Sequence, residues 1–488
     1  MHATRLFLWF GIVLSAIPIT LVQTRIWGAD TIQSDIATEG FAIATFEIDV
    51  SPPIGSPLAY DPTKEITAPL LLKGIVFLPD GDKPIVLTSL DWLGVANLAQ
   101  DEFKQALATA VETSTSRVAI HSIHQHDAPR CDLSAAAVLE RYGLADRHYD
   151  SEFIRSCIQR ASKAAKEALK DAVEIKAVSF GKAQVADVAS NRRMLGPDGK
   201  VHTTRYTACR DPKIRALPLG VIDPWLRSLV LYQGEGSKQE AAAVLTFYAT
   251  HPQSYYRTGQ ANPDFPGLAR NARQKDSGTF HLHFNGAGGN IGAGKYNDGS
   301  HTNRQVLARK VEAAMKQSWE QQSRLSTIAL AWATERIPIQ LGEHLRKTDL
   351  EKILKDASEQ PAVQLNAAKK IALLERSKEG KQIEIHCLQL GSTKVLFMPG
   401  ELFVEYQLAA QSMLPASPIM MAAYGEYGTG YIGTRIAYPQ GGYEVSNRAS
   451  NVPPSYEAIL LAAMKKLLEV PNSTVFASDF TDTIGPLP

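Results

Sequence analysis

The sequence predicts an α/β fold, with mixed β-sheets flanked by helices in one large domain. Three observations lead to this. Strand and helix signals interleave from residue 41 to residue 468, the mark of a layered α/β architecture. No long linker, internal repeat or low-complexity run divides the chain. The residues best suited to chemistry are scattered between positions 124 and 431, so a single domain must gather them. A length of 488 residues is compatible with several domains, but one domain over residues 30–488 is the more economical reading.

The elements follow in order. Ala44, Phe46, Ile48 and Val50 alternate along one strand face, and Ser51-Pro52-Pro53-Ile54-Gly55 ends the run. Residues 72–77 and 85–90 read as two strands joined by a turn around Pro79-Asp80-Gly81-Asp82-Lys83-Pro84. Residues 103–111 suggest a short amphipathic helix, and 118–123 the next strand. A longer helix is expected over 150–172, with Phe153, Ile154, Cys157, Ile158, Ala161, Ala164, Ala165 and Leu169 in its apolar stripe. Strands are expected near Val178 and Leu229 and over 241–248, just before His251. Residues 286–294 form a glycine-rich loop. Residues 346–376 read as helical with a break at Pro361. Residues 383–398 read as a hairpin around Gly391-Ser392, and 456–468 as a closing helix.

Residues 1–29 differ from the rest. Arg5 precedes an apolar run over 6–22, and small residues follow near Gly28-Ala29. This pattern reads as a secretory signal, hence a secreted or periplasmic protein. Uncleaved, the same run would act as an N-terminal membrane anchor and give membrane contact. The chain has 51 Lys and Arg, two of them within residues 1–29, against 50 Asp and Glu, so the remainder carries a formal charge of −1. Such a balance offers no basic field for nucleic acid. Cys131, Cys157, Cys209 and Cys387 contain no Cys-x-x-Cys pair, which argues against a cysteine zinc site. An exported chain could pair them, or leave them as buried thiols.

The strongest local signal is His121-Ser122-Ile123-His124-Gln125-His126-Asp127 at a strand end. Residues two apart share a strand face, so His124 and His126 offer two imidazoles to one metal ion or one substrate. His121 points the other way, as a packing residue. His251 follows another apolar strand, and Glu401 follows Phe397-Met398-Pro399-Gly400. Glu401 suits either a metal ligand or an acid in the first turn of a helix. Tyr431 lies in a Gly- and Tyr-rich stretch, where a buried, hydrogen-bonded tyrosine is the plainer reading. The sequence lacks a Gly-x-Ser-x-Gly elbow, a His-Glu-x-x-His helix, a P-loop and a dinucleotide fingerprint. Residues 286–292 could cradle an anion with backbone N–H groups or simply make a tight turn.

Taken together, these pieces resemble the neutral (non-lysosomal) ceramidase superfamily, in a short bacterial form, over about residues 41–468. Phe46-Glu47-Ile48-Asp49-Val50-Ser51-Pro52-Pro53-Ile54-Gly55, Ser89-Leu90-Asp91-Trp92-Leu93-Gly94, His124-Gln125-His126 and Asn191-Arg192 are similar to successive family motifs. So are Tyr248-Ala249-Thr250-His251-Pro252, Asp264-Phe265-Pro266-Gly267, the segment from Phe284 to Asn290, Pro399-Gly400-Glu401 and Gly430-Tyr431-Ile432-Gly433-Thr434. The resemblance implies one Zn2+ ion held by His124, His251, Glu401 and Tyr431, with Tyr427 as the alternative tyrosine. It implies that His126 and Arg192 face the substrate. Asp91, Asp127 and Asp264 are candidates for orienting imidazoles from behind.

The sequence also departs from the family. The family's serine in "G-D-V-S-P-N" falls on Gly292, and its aspartate on Asn290. A serine nucleophile is therefore missing, and zinc-bound water becomes the expected nucleophile. Asp127-Ala128-Pro129 replaces the family's "S-G-P". The sequence ends at Pro488, without the C-terminal β domain of full-length ceramidases, which argues against a membrane-embedded lipid substrate. The expectation is an exported zinc-dependent amidohydrolase or esterase acting on a small-molecule or lipid-like substrate. A ceramidase proper and a non-catalytic binding relative that keeps the fold are the alternatives.

Overall fold

The alternating run that begins at Phe41 forms a strand, Phe41–Asp49, and its two faces serve two different cores. Phe41 and Ile43 point into one apolar cluster, Ala44 and Phe46 into another. The same division recurs at Ile75 and Phe77 against Leu72 and Val76, and at Ile85 and Leu87 against Val86 and Leu90. A strand with two apolar faces belongs to a sheet covered on both sides. The computed structural model describes residues 33–34, 38–145 and 148–471. The expected signal or anchor over 1–29 lies outside the described residues, and no described helix is long and apolar enough to cross a membrane.

Two mixed sheets stack face to face. The larger has ten strands, and the smaller has five. Their shared core contains Phe77, Leu87, Trp332 and Phe397 from the larger sheet and Leu231, Leu245, Phe247 and Phe284 from the smaller. The outer face of the larger sheet is covered by helices Asn97–Ala110 and Ser151–Ala168 on one part, and by Pro361–Lys378, Val404–Met413 and Tyr456–Leu467 on another. His301–Glu320 packs over the smaller sheet. The result is helix, sheet, sheet, helix in four layers.

Most expected elements form close to where they were read. Leu71–Pro79 and Ile85–Leu90 pair antiparallel, and Gln382–Leu390 pairs with Thr393–Pro399 around Gly391. The helix expected over 103–111 starts earlier, at Asn97. The stretch 346–376 divides into Lys347–Lys355 and Pro361–Lys378. Pro361 opens the second helix, where its missing N–H costs nothing. Strand Ile419–Gly425 and helix His301–Glu320 were not anticipated. All four cysteines are buried and unpaired.

The topology directs three parallel strand pairs toward one place. Ile85–Leu90 runs parallel to Val118–Ser122, and Thr393–Pro399 parallel to Ile419–Gly425. These two pairs run in opposite directions and touch at one register position, His121 opposite Gly425. Their carboxyl ends therefore meet there. In the smaller sheet Glu240–Tyr248 runs parallel to Phe280–Asn285, ending with Tyr248 beside Asn285. Ligand sites in α/β sheets form at the carboxyl ends of parallel strands, and here three such ends converge.

Candidate metal centre

Each converging strand end releases one chemical group. His124 follows Val118–Ser122, His251 follows Glu240–Tyr248, and Glu401 follows Thr393–Pro399. Asn285 ties the two sheets together at this point. Its amide donates to the carbonyls of Ile123 (3.2 Å) and Thr250 (2.7 Å), the residues just before His124 and His251. Beyond the strand ends, Glu401–Leu402 pairs parallel with Tyr431–Ile432, which sets Glu401 directly beside Tyr431.

The three histidines offer ring nitrogens within 4.8 Å of one another, all buried. Nε2 of His126 lies 3.2 Å from Nε2 of His124 and 3.0 Å from Nε2 of His251. Nε2 of His124 lies 3.2 Å from Oε2 of Glu401. His124 Nδ1 donates to the Leu93 carbonyl at 2.7 Å, so in the neutral ring Nε2 keeps its lone pair for the centre. Two electron-rich atoms at that distance need a positive charge between them. Oε2 of Glu401 is buried and accepts no hydrogen bond, whereas Oε1 accepts one from Tyr427 at 2.7 Å. Imidazole, carboxylate and phenol are the nitrogen and oxygen donors zinc takes, so the residues present fit such an ion.

His126 is held differently. Gln253 Nε2 lies 3.0 Å from its Nδ1, and the Tyr60 hydroxyl 3.1 Å. An amide nitrogen only donates, so Nδ1 accepts and the ring proton sits on Nε2, facing the other two histidines. Burial, followed by the charges of His124, Arg130 and Arg192, pushes His126 well below its ordinary value. Burial, His124, Arg192 and His126 do the same to His251. Burial pushes the Glu401 carboxyl up, but His124 and its phenol neighbours outweigh this and hold it below the usual range. Burial and the charge of Glu401 push the Tyr431 phenol well up.

Arg192 completes the wall. Its Nη1 lies 3.4 Å from the Tyr431 hydroxyl and its Nη2 3.1 Å from Glu444 Oε1. Behind it, Ser190 and Asn191 pair with Gly292 and Ile291. A Cβ at Gly292 would press on the Arg192 stem at 3.3 Å, so the glycine accommodates the arginine. The backbone of His124, Arg257, Asp264, Tyr424 and Glu426 adopts positive φ. Such strain in non-glycine residues gathers at functional sites.

The fold that gathers these residues has solved relatives. The chain superposes on neutral ceramidase from Pseudomonas aeruginosa with a TM-score of 0.65 at 15% identity, covering 92% of this chain and 78% of that chain. A ceramidase complexed with C2 matches with a TM-score of 0.64 at 14% identity, covering 90% and 77%. The chain adopts the neutral-ceramidase fold. No family model matches the sequence, and no curated protein does.

Within the neutral-ceramidase fold the short motifs acquire physical reasons. In Ser89-Leu90-Asp91-Trp92-Leu93-Gly94, Leu93 fixes the His124 ring and Gly94 leaves space for Tyr427. In Pro399-Gly400-Glu401, Gly400 has φ of 61° and would clash with Gly430 if it carried a Cβ. The three carboxylates expected behind imidazoles serve other groups. Asp91 pairs with Arg270 at 2.7 Å. Asp127 accepts from Thr258 and from the backbone of Arg257. Asp264 accepts from the backbone and hydroxyl of Ser254. Asp127 and Asp264 therefore brace the loop after His251, and Asp91 holds helix Asp264–Ser277 and the Leu71 backbone. The glycine-rich loop is a spacer and not an anion cradle. A Cβ at Gly288 would meet the Thr250 carbonyl at 2.5 Å, and one at Gly289 the Glu401 carbonyl at 2.4 Å. Asn290 then ties the loop to helix Val404–Met413 through Val404 and Glu405. His121 packs as expected, donating to the Ala423 carbonyl and lying against Phe284 and Phe397.

Sequence reasoning missed Tyr60, Gln253, Asn285 and Glu444. Gln253, two residues after His251, was within reach of motif reading. Tyr60 and Glu444 are brought in by distant loops and leave no local pattern. Gly94 gives a direct test. A Cβ there would sit 2.4 Å from the Tyr427 ring. Gly94→Ala should displace Tyr427 from Glu401, cost about 1–3 kcal/mol in a urea titration and weaken zinc binding about 10–100-fold in a chelator competition. Unchanged zinc affinity would remove Tyr427 from any role in positioning Glu401.

Proposed function

We propose that this protein is an exported, zinc-dependent hydrolase of an amide or ester. The observation that carries the reading is the meeting of His251 with His124, His126 and Glu401, the last three of which line a cavity of about 670 Å3. In this reading His124, His251, Glu401 and Tyr431 hold the ion. Zinc supplies Lewis acidity and lowers the pKa of a water toward neutrality.

The remaining chemistry belongs to the chain. His126 carries its proton on Nε2, aimed between His124 and His251. From there it donates to the oxygen that gains charge as the carbonyl is attacked. Arg192 stays charged, because the Glu444 carboxylate 3.1 Å away counters the effect of burial. It holds a substrate oxygen against the Tyr431 side. Gly292 offers no hydroxyl, so water is the nucleophile. Ceramide hydrolysis is the second reading, favoured because the two solved structures compared above are ceramidases.

Purified protein should contain about one zinc ion per chain. It should hydrolyse at least one class among N-acyl amines, N-acyl amino acids, lactones and ceramides. Metal analysis that finds no zinc after incubation with the ion would sink the metal reading. Ceramide turnover equal to that of the best substrate would promote the second reading over the first.

A further inference from the structure

The cavity beside the histidines is unusually rich in positive charge. Among its described lining residues are Arg130, Arg257, Lys369 and Arg448, against two carboxylates, Asp61 and Glu401. Glu401 is engaged by His124 and Tyr427. None of the four cations has an ion-pair partner among the described residues. Three of them rest on tyrosine rings. Arg130 and Arg257 lie 5.2 Å and 5.0 Å from the Tyr60 centroid, and Lys369 lies 5.4 Å from that of Tyr427. Arg130 also donates to the Ala59 carbonyl.

Those two tyrosines reach the centre. The Tyr60 hydroxyl lies 3.1 Å from His126 Nδ1, and the Tyr427 hydroxyl donates to Glu401 at 2.7 Å. Three unpaired cations therefore stand one tyrosine side chain from the candidate reacting atoms. A π face attracts a cation without neutralising it. Burial and the charge of Arg130 push the Lys369 ammonium down to about 8, against the opposing pull of Asp132 and Glu401. The large aliphatic side chains in the described lining are Leu58, Leu93 and Leu365. Covering these cations with a neutral double-chain lipid would desolvate them without compensation.

We propose that the substrate is an anionic amide or ester, whose acid group is held by Arg130, Arg257, Lys369 and Arg448 while its carbonyl lies at the histidines. This deepens the hydrolase reading and rests on it. For an N-acyl amino acid, the water oxygen bonds to the acyl carbon and the C–N bond breaks. Both water protons end on the departing amine, giving a carboxylate and a free amino acid.

Three probes with one acyl chain test the idea on the full-length protein: N-hexanoylglycine, N-hexanoyl-aminoethyl phosphate and neutral N-hexanoylglycinamide. Binding is read by calorimetry and turnover is read separately. Both acids should bind about tenfold or more tightly than the neutral amide, and the tighter acid identifies carboxylate or phosphate as the natural group. The preference should collapse in the Lys369→Gln/Arg448→Gln double variant. It should also shrink in 1 M salt, where screening acts over about 3 Å. Equal binding of neutral and acidic probes, or a preference untouched by both salt and the double variant, would overturn the proposal. Selective binding of the acids with no turnover of any probe would support the anion site and count against the hydrolase reading.

Discussion

Glu401→Gln is expected to empty the candidate metal centre while leaving the fold standing. The substitution keeps shape and removes one negative charge. Glu401 is buried, and Oε2 faces Nε2 of His124 at 3.2 Å without a hydrogen bond of its own. Without the carboxylate charge, His124, His251 and the Tyr431 phenol remain, and burial pushes that phenol away from its anionic form, so no charged donor is left to retain a divalent ion. Zinc affinity should fall about 100-fold or more, beyond the 10–100-fold typical of residues that merely support a ligand. Hydrolysis should fall with it. Thermal melts separate loss of metal from loss of fold. A chelator should lower the melting temperature of the wild type, because a bound ion stabilises the native state by mass action. It should leave Glu401→Gln unchanged. Zinc content in the variant equal to wild type would exclude Glu401 as a ligand. His251→Ala should behave in the same way, with an added cost for the cavity it leaves.

Asp91→Ala is expected to be the most damaging substitution for stability. Both side chains of the Asp91–Arg270 pair are fully buried. Two parallel hydrogen bonds join them at 2.7 Å and 2.8 Å. Asp91 also accepts from the Leu71 backbone. Removing the carboxylate strands a guanidinium in the interior, which costs about 3–5 kcal/mol. A urea titration reads this as a lower midpoint at constant slope. Replacing both partners by apolar residues, Asp91→Leu with Arg270→Met, should recover most of the loss, since the penalty comes from the unpaired charge. A single-variant loss under about 1 kcal/mol would mean that water reaches the pair. The pair also bears on the candidate centre. Arg270 lies on helix Asp264–Ser277, whose first residue braces Ser254 in the loop after His251. Loosening that helix should weaken zinc binding as well.

Much of this was legible in the linear sequence. Strands Phe41–Asp49, Val118–Ser122 and Glu240–Tyr248 were readable because alternation and β-branched runs are local signals. Ile419–Gly425 escaped because Met, Ala and Gly dominate it, and burial on both faces erases the period of two. Helix His301–Glu320 escaped because its buried positions include Arg304, two alanines and Ser318, which give a weak apolar stripe. The candidate centre was legible in part and for a different reason than strand alternation. His124 and His126 do converge, with Nε2 atoms 3.2 Å apart, but the strand stops at Ser122 and His124 has a φ of 65°, so the loop and not a shared strand face turns the two rings together.

The sequence by itself determined the α/β class, because alternation and helical periodicity are short-range signals. The four groups proposed as ligands and the missing hydroxyl at Gly292 came from the resemblance of its short motifs, taken in order, to the neutral ceramidase superfamily. The tertiary structure decided that these groups meet at all. Two oppositely directed parallel strand pairs touch at His121 and Gly425, and Asn285 bridges the sheets at Ile123 and Thr250. It also reassigned Asp91, Asp127 and Asp264 from imidazoles to loop and helix supports, because a carboxylate's partner depends on what folds against it. It drew Arg130, Arg257, Lys369 and Arg448 around one cavity, although they are up to 318 residues apart in a chain of near-zero net charge. Net charge sums over the whole chain, whereas a substrate meets only the charges that folding brings to one wall.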